Sequence, residues 1–221
     1  MKYELLQPWS TFVMKTRLPL PVFDKMLKLT DEIVENNVPE KMGAGEMEEQ
    51  FLVELFRLKE ERLLDYFEDV AKKYVIEASC QSQPFNKEAI ESEEWLTQIS
   101  RMWINSQKDN EYFPLHKHTR CSMSSVMYLK IPEYLPSRNH NTTEGAIEFT
   151  GNSSMDQIWG VPTLPIQPRV GDFFIFSSDQ HHCVYPFRTP DGTGERRSVS
   201  FNALFTTKKE DAAMRLKNLK G

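Results

Sequence analysis

The chain has 221 residues, of which 39% are hydrophobic and 27% are charged, and its formal net charge is -5 at pH 7. This length and composition are typical of a soluble globular protein that can bury a sizeable core. The acidic balance argues against a general nucleic-acid-binding protein, so no nucleic-acid partner is expected. No stretch approaches the roughly 18 to 20 consecutive apolar residues of a membrane helix, so no membrane partner is expected either.

The cysteine content and the N-terminal sequence bear on where the protein resides. Cys80, Cys121 and Cys183 are sparse and show no CxxC spacing. Such a set is typical of reduced thiols and not of a disulfide framework. The first residues contain no long apolar segment and no small-residue cleavage site, which predicts no signal peptide. We therefore expect a cytoplasmic protein.

The N-terminal part of the chain shows mainly helical patterns. Residues 11–16 could form a short edge strand, and apolar residues at helical spacing over 22–34 predict an amphipathic helix. A second apolar stripe over 46–78 predicts a helical region, long enough to be either one helix or two. The stripe could pack on the rest of the domain or form a dimer face, so an oligomer is possible.

The C-terminal part shows short apolar runs separated by proline and glycine. A strand is predicted over 95–105, and further strands over 125–131, 146–149, 172–176 and 198–205. Several short strands with such punctuation are typical of a jelly roll. We predict an α+β chain that forms a single domain over 1–221. In it, residues 1–80 form a mainly helical support layer and about 95–206 form the jelly-roll (double-stranded β-helix) core.

Three histidines form the first candidate site. His116 and His118 are two residues apart, so on extended backbone both imidazoles would point to the same face. His182 follows another apolar run much later in the chain. Two close nitrogen ligands and one distant ligand can build one face of a coordination sphere and leave the other open. The sequence therefore predicts a metal site made of His116, His118 and His182, and imidazole suits iron, zinc, copper and nickel.

The strand after His182 adds a positive charge to this prediction. Arg196, Ser198 and Ser200 alternate along it and should face the same side. A guanidinium inside a small barrel needs an anionic partner, and a carboxylate can accept from it in a bidentate manner. We therefore predict a carboxylate-bearing ligand near the metal.

Six motifs occur in an order that is typical of one family. They are His116-Lys117-His118, Tyr128-Leu129, Gly145-Ala146-Ile147-Glu148-Phe149, Gly171-Asp172-Phe173-Phe174-Ile175-Phe176, His182-Cys183-Val184-Tyr185-Pro186 and Arg196-Arg197-Ser198. With them, residues 103–205 resemble the Fe(II)- and 2-oxoglutarate-dependent oxygenases. The resemblance is greatest to the prolyl-4-hydroxylase-like branch and its small stand-alone members, often found in bacteria and phages. Each motif alone is weak, but the ordered set covers about half the chain and is fairly specific.

The resemblance implies a set of ligands and an activity. His116 and His182 would be iron ligands, and Arg196 would hold the distal carboxylate of 2-oxoglutarate. Tyr128 would donate a hydrogen bond to that carboxylate, and Ser198 would assist. The implied cofactors are Fe(II), 2-oxoglutarate as co-substrate, and dioxygen. The implied activity is hydroxylation of a protein side chain, for example prolyl, or of a small molecule, with succinate and carbon dioxide as the other products.

The sequence departs from the family pattern at His118, where the family has an aspartate. His118 could be a third histidine ligand, it could be displaced and leave an open position, or the metal could be other than iron. We favour ligation because the spacing is correct. Asp172 or Asp179 could supply a carboxylate instead, although neither stands where the family pattern places one.

Neighbouring residues and other functions compete with this interpretation. His181 competes with His182, and Arg197 competes with Arg196, but each should face the opposite side of its strand. Trp103, Asn105 and Tyr112 flank the expected mouth of the site, while His140 is expected to be an ordinary loop residue. The alternative functions are a three-histidine cupin-like dioxygenase without 2-oxoglutarate and a non-enzymatic jelly-roll module that binds a metal or ligand. Arg196 argues against the cupin, which needs no such carboxylate anchor.

Overall fold

The computed structural model of the protein describes residues 12–40, 47–136, 143–151 and 162–218. The helices in these ranges are α1 (Leu20–Asn36), α2 (Leu55–Glu60), α3 (Leu64–Ser82), α4 (Lys87–Ser92) and α5 (Lys208–Asn218). The strands are β1 (Val13–Arg17), β2 (Gln50–Val53), β3 (Trp95–Gln107), β4 (Phe113–His116), β5 (Met123–Lys130), β6 (Ile147–Thr150), β7 (Thr163–Ile166), β8 (Asp172–Ser177), β9 (His182–Val184) and β10 (Arg196–Thr207).

The strands form two antiparallel sheets. The larger sheet has six strands in the order β1-β8-β5-β10-β3-β2, and the smaller sheet has four in the order β4-β9-β6-β7. Strands that neighbour one another in space are mostly distant in sequence, which is typical of a jelly roll and not of a simple meander. The predicted fold class, an α+β double-stranded β-helix, is confirmed.

Strand β8 of the larger sheet is apolar on both faces because both faces are covered. In β8, Phe173 and Ile175 belong to the core shared with the helices, while Phe174 and Phe176 belong to the core between the two sheets. This division follows the two-residue period of a strand. Consequently, a run of consecutive apolar residues forms a strand here and needs no polar alternation.

Helices α1 and α3 cover the outer face of the larger sheet. Phe67 of α3 is fully buried, with its ring centroid 6.0 Å from that of Phe173 and 5.9 Å from that of Phe201. Met26 and Ile33 of α1 are buried in the same cluster. Burial of each such side chain contributes roughly 1.5–3 kcal/mol, so the helices stabilise the sheet against which they pack.

The predicted helical region over 46–78 is wrong in its first part. Gln50–Val53 is strand β2, which pairs with β3 so that Phe51 lies opposite Ile104. Pairing at the free edge of β3 satisfies backbone groups and buries Phe51 and Val53, which outweighs the local helical pattern. The rest of the region is two helices, separated at Arg62, whose positive φ of 57° ends α2. Residue 46 lies outside the described ranges.

The other N-terminal elements lie close to where the patterns place them. The predicted helix over 22–34 extends in the structure to Leu20–Asn36, and Pro21 is tolerated in its first turn because no intrahelical donor is needed there. Strand β1 is an edge strand of the larger sheet, paired with β8. Residue 11, where the predicted edge strand begins, is outside the described part of the chain. None of the helices within that part is both long and apolar enough to cross a membrane.

Candidate active site

A cavity of about 520 Å³ opens between the two sheets. Its floor consists of side chains from β3, β5 and β10 of the larger sheet, and its opposite wall comes from β4 and β9 of the smaller sheet. The cavity is lined by all six site residues that the sequence analysis predicts, namely His116, His118, Tyr128, His182, Arg196 and Ser198. The fold therefore brings together residues that are up to 82 positions apart in the chain.

The three histidines converge on one wall of the cavity. His116 at the end of β4 lies directly opposite His182 at the start of β9, and their ring centroids are 4.2 Å apart. The ring of His118 lies 5.4 Å from that of His116 and 5.3 Å from that of His182. One nitrogen of each ring lies within 4.8 Å of the others, which is a spacing that a single metal ion can bridge.

The surroundings of the histidines favour the neutral form that a metal requires. Burial lowers the pKa of His116, lowers that of His118 to about 4, and lowers that of His182 to about 3, with His116 as a further cause in the last two cases. Nδ1 of His116 donates to the carbonyl of Pro114 at 2.8 Å, and Nδ1 of His182 donates to that of Gln180 at 2.9 Å. Each donation leaves the Nε2 lone pair free to bind a metal.

His118 lies just beyond β4 but is held in place by its backbone. Its N–H donates to the carbonyl of Ser178 at 3.0 Å, which fixes the segment against the end of β8. Its ring lies 6.0 Å from the Trp103 ring and 6.3 Å from the Phe176 ring, measured between centroids. His118 is therefore not displaced from the cluster, and it stands where a third ligand would stand.

Neither of the two aspartates considered as alternative ligands joins the cluster. Asp172 is buried at the edge of the larger sheet, where it accepts from Arg17 at 2.9 Å and pairs with Lys15 at 3.0 Å. Asp179 is exposed and pairs with Lys117 at 3.0 Å. In the described part of the chain, the donor set near the three rings thus consists of imidazoles alone.

Arg196 occupies the inner end of the cavity and is 1% exposed. Its guanidinium carbon lies 5.5 Å from the centre of the Tyr128 ring and 6.0 Å from that of Phe187, and Nη1 donates to the carbonyl of Gly145. Arg196 makes no ion pair with any described carboxylate, and its Nε has no hydrogen-bond partner. Such a buried charge is costly without an anion, so the site has the chemistry to bind one.

The hydroxyl of Tyr128 completes this anion site. Tyr128 is fully buried, and burial raises its pKa to about 12, although the Arg196 charge opposes that rise. Its hydroxyl therefore stays protonated, and it has no partner in the described structure. Ser198 lies opposite Tyr128 in the pairing of β10 with β5 and is also buried. An unpaired guanidinium nitrogen and an unpaired hydroxyl at the same end of a cavity fit the carboxylate of 2-oxoglutarate.

The competing residues lie elsewhere. His181 is exposed and outside the histidine cluster, and Tyr112 is also exposed and does not line the cavity. Arg197 faces the other side of the sheet, where it is 3% exposed and pairs with Glu195 and Asp31. Trp103 and Asn105 do line the cavity. His140 lies outside the described residues.

Several supporting residues are not evident from sequence patterns. Phe187 and Tyr134 stack at 4.9 Å behind Arg196, and Gly145 supplies the carbonyl that Arg196 contacts. Gln50 of β2 donates to Asn105 at 2.7 Å and so orients an amide on the cavity floor. Each of these contacts joins segments far apart in the chain, so no local periodicity could have revealed them. The only available signal was the glycine itself, which begins a family motif.

Comparison with known proteins agrees with this geometry. Residues 101–202 match the family model described as "Putative 2OG-Fe(II) oxygenase". No curated protein sequence matches the chain significantly.

Solved structures share the fold at low sequence identity. An oxidoreductase of the 2OG-Fe(II) oxygenase family from Burkholderia pseudomallei has a TM-score of 0.51 and 15% identity, over 86% of this chain and 84% of that chain. A prolyl-4-hydroxylase from Pseudomonas putida also has a TM-score of 0.51 and 15% identity, over 87% and 91%. A prolyl hydroxylase from Trichoplax adhaerens, in complex with a peptide of the hypoxia inducible factor oxygen degradation domain, has a TM-score of 0.51 and 11% identity, over 88% and 83%.

These observations indicate the class of the protein. The segment that matches the 2OG-Fe(II) oxygenase family model spans slightly less than half of the chain and contains the histidine cluster and Arg196. The match indicates an oxygenase that uses Fe(II) and 2-oxoglutarate.

Proposed function

We propose that the protein is a hydroxylase in which His116, His118 and His182 hold Fe(II), and Arg196 and Tyr128 hold the distal carboxylate of 2-oxoglutarate. Ser198 assists at the same end of the cavity. The observation that carries the proposal is the pairing of two incomplete sites in one cavity. Three neutral imidazoles face a common point, and a buried arginine without a carboxylate partner lies at the inner end.

The residues of the chain have distinct tasks in this proposal. The three histidines would hold Fe(II), which would supply the activation of dioxygen for oxidative decarboxylation of 2-oxoglutarate to succinate and carbon dioxide, with the other oxygen atom going into a substrate C–H bond. His116 and His182 present Nε2 because their Nδ1 protons are already donated to backbone carbonyls. Arg196 would orient the co-substrate by donating hydrogen bonds to its distal carboxylate, and the rings of Tyr128 and Phe187 beside the guanidinium would exclude water from that contact.

A ligand set of three histidines has an electrostatic consequence. A carboxylate would neutralise part of the charge of the metal, whereas imidazoles leave that charge to be balanced by bound anions. The keto acid itself provides two negative charges at this place. We therefore expect metal and 2-oxoglutarate to stabilise one another's binding in this protein.

The substrate is proposed to be a protein side chain, with prolyl as the first to test, or a small molecule. Support for a prolyl group comes from the shared fold with the Pseudomonas putida and Trichoplax adhaerens proteins, whose names specify prolyl hydroxylation. A small molecule is supported by the limited volume of about 520 Å³, which must also accommodate 2-oxoglutarate.

The test is dioxygen consumption with Fe(II), with and without 2-oxoglutarate, on the wild type and on the Arg196→Ala and His118→Ala variants. No substrate need be known, because enzymes of this kind turn over slowly without one. We expect uptake that requires 2-oxoglutarate and that collapses in Arg196→Ala. Uptake indifferent to 2-oxoglutarate would instead indicate a cupin-like dioxygenase. Absence of uptake and of an anaerobic Fe(II)–2-oxoglutarate absorption band would indicate a binding module.

A further inference from the structure

The outer half of the cavity floor is separate from the part that the co-substrate would occupy. Along the pairing of β10 with β3, Arg196 lies opposite Gln107 at the inner end, while Asn202 lies opposite Arg101 at the outer end. Directly opposed residues of an antiparallel pair share one face of the sheet, and Arg101 and Asn202 both line the cavity. The floor therefore has one arginine at each end, and Arg101 at the outer end has no role in the proposed binding of 2-oxoglutarate.

A second arginine approaches the outer end from a loop. Arg120 lies in the segment between His118 and β5, and it is exposed and lines the cavity. The neighbouring Ser122 donates its N–H to the carbonyl of Ala203 at 2.9 Å, which anchors this loop beside Asn202. Arg101 and Arg120 thus flank Asn202 from two different segments, the strand β3 and the loop.

The charges on the cavity lining are strongly one-sided. Among the described residues, the lining contains Arg101, Lys117, Arg120 and Arg196 but no aspartate or glutamate. Asp179 offsets Lys117 at 3.0 Å, whereas Arg120 makes no ion pair with any described carboxylate. The charges of Fe(II) and 2-oxoglutarate cancel, so the loaded cavity keeps the positive charge of Arg120 at its outer end, inside a chain whose net charge is -5. A positive cleft of this kind raises the local concentration of anions.

The outer arginines are close enough to the histidine cluster to position a substrate. The Trp103 ring lies 6.0 Å from the His118 ring, and Arg101 is the next residue along the same face, about 6.6 Å further at two residues of strand. A molecule that rests on Trp103 beside the histidines would therefore present its far end to Arg101 and Arg120. The hydroxyl of Ser200, opposite Trp103, adds a polar group between the two ends.

We propose that Arg101 and Arg120 bind a carboxylate of the substrate, so that the enzyme acts on a carboxylate-bearing compound whose reacting carbon lies beside Trp103 and His118. This inference rests on the proposed function. Asn202 contributes to the same subsite, since its Oδ1 is buried without a partner and its amide can also present a donor there. The carboxylate could belong to a free acid or to an acidic residue next to the target in a peptide.

The inference is tested by binding of matched probes that differ only in charge. The protein is loaded with zinc and saturating 2-oxoglutarate, so that no turnover occurs, and Kd is measured by titration calorimetry and ligand-observed NMR. The probes are N-acetyl-L-proline and its primary amide, together with blocked peptides in which a proline is followed by glutamate or by glutamine. The variants are Arg101→Gln and Arg120→Gln. Arg62→Gln is the matched control, because Arg62 is also exposed, has φ of 57° against 59° for Arg120, and does not line the cavity.

We expect at least one carboxylate probe to bind at least tenfold more tightly than its neutral partner. Each cavity variant should lower the affinity for that probe about tenfold, as expected when one hydrogen bond to a charged group is lost. The affinity for the neutral probe should stay unchanged. Arg62→Gln should behave as the wild type. Preference for the free acid or for the glutamate peptide tells which source the subsite serves.

The inference would be overturned if every carboxylate probe bound with the same affinity as its neutral partner. It would also be overturned if the preference for the carboxylate probe survived in both Arg101→Gln and Arg120→Gln. Failure of the proposed function is distinguishable from this outcome. In that case the wild type would show neither 2-oxoglutarate-dependent oxygen uptake nor the anaerobic Fe(II)–2-oxoglutarate band, whereas failure of the subsite alone leaves both intact.

Discussion

The guanidinium carbon of Arg196 lies 5.5 Å from the centre of the Tyr128 ring, both residues line the cavity, and each has one buried polar atom without a hydrogen-bond partner: Nε of Arg196 and the hydroxyl of Tyr128. Both side chains are almost completely buried. A protein that buries such groups loses free energy unless a ligand restores their hydrogen bonds. The relationship therefore supports the proposal that the inner end of the cavity binds the co-substrate, and its two members can be tested separately.

Replacing Arg196 by lysine should weaken the binding of 2-oxoglutarate far more than it lowers the stability of the fold. Lysine keeps the charge but loses the planar fork that donates two parallel hydrogen bonds to a carboxylate. We expect the KM for 2-oxoglutarate to rise by at least about tenfold, the effect of losing one charged hydrogen bond. The measurement is initial oxygen uptake as a function of 2-oxoglutarate concentration.

The neighbouring Arg197→Lys is the control, because Arg197 pairs with Asp31 and Glu195 on the opposite face of the sheet. It should lower the melting temperature and leave the KM unchanged. A rise in KM for Arg197→Lys equal to that for Arg196→Lys would show that general loosening of β10, and not the carboxylate contact, is responsible.

Replacing Tyr128 by phenylalanine should separate ligand binding from stability. The hydroxyl is buried and unpaired without ligand, so its removal should leave the free energy of unfolding of the ligand-free protein unchanged or higher. The same change should weaken the binding of 2-oxoglutarate by at least about tenfold, the effect of losing one hydrogen bond to a charged group. Urea denaturation and co-substrate titration measure the two quantities.

Tyr74→Phe is the matched comparison for Tyr128→Phe. The Tyr74 hydroxyl donates to the carbonyl of Phe12 at 3.0 Å on the helical side of the larger sheet. This variant should lose about 1 kcal/mol of stability, with 2-oxoglutarate binding unaffected. If Tyr128→Phe behaved in the same way, the Tyr128 hydroxyl would have only a structural role.

Replacing His118 should show whether it is a metal ligand. We expect His118→Ala to lower the affinity for Zn(II) by more than roughly 10- to 100-fold, which is the loss when a metal ligand loses only the hydrogen bond that orients it. His118→Asp should recover binding, because it restores the residue that the family pattern has at this position. His181→Ala is the control, since His181 is exposed and outside the cluster. Metal affinity is measured by competition with a chromophoric chelator, and unchanged affinity in His118→Ala would exclude ligation.

The helical layer should contribute strongly to stability through Phe67. Its ring is fully buried and contacts Phe173 and Phe201 of the larger sheet. Phe67→Ala should cost about 3–5 kcal/mol of unfolding free energy, while Phe85→Ala, at a side chain that is 97% exposed, should change it by at most about 0.5 kcal/mol. Equal effects in urea denaturation would show that the helices do not share the core of the sheet.

The sequence predicts the elements of this fold better than their supporting contacts. The apolar runs that became β5, β8 and β10 are long enough to identify as strands, and the spacing of His116 and His118 is local. Strand β2 was missed because Phe51 and Leu52 fit a helical stripe equally well, and only the free edge of β3 decides between the two. The pairing of Phe187 with Tyr134 behind Arg196 depends on contacts across more than fifty residues, which no local pattern encodes.

Gly145 links that hidden support to the anion site, and its replacement by alanine should damage both. Its φ is +67°, a conformation that favours glycine, and an added Cβ would lie 2.6 Å from the ring of Tyr134. Tyr134 would have to move, and the carbonyl that accepts from Arg196 would move with the backbone. We therefore expect Gly145→Ala to lower the melting temperature and to raise the KM for 2-oxoglutarate together.

Gly192→Ala is the control for this prediction, because Gly192 has a φ of +70° but open space around the new Cβ. It should lower the melting temperature and leave the KM for 2-oxoglutarate unchanged. If both glycine variants raised the KM equally, the effect would come from backbone strain and not from the contact between Gly145 and Arg196.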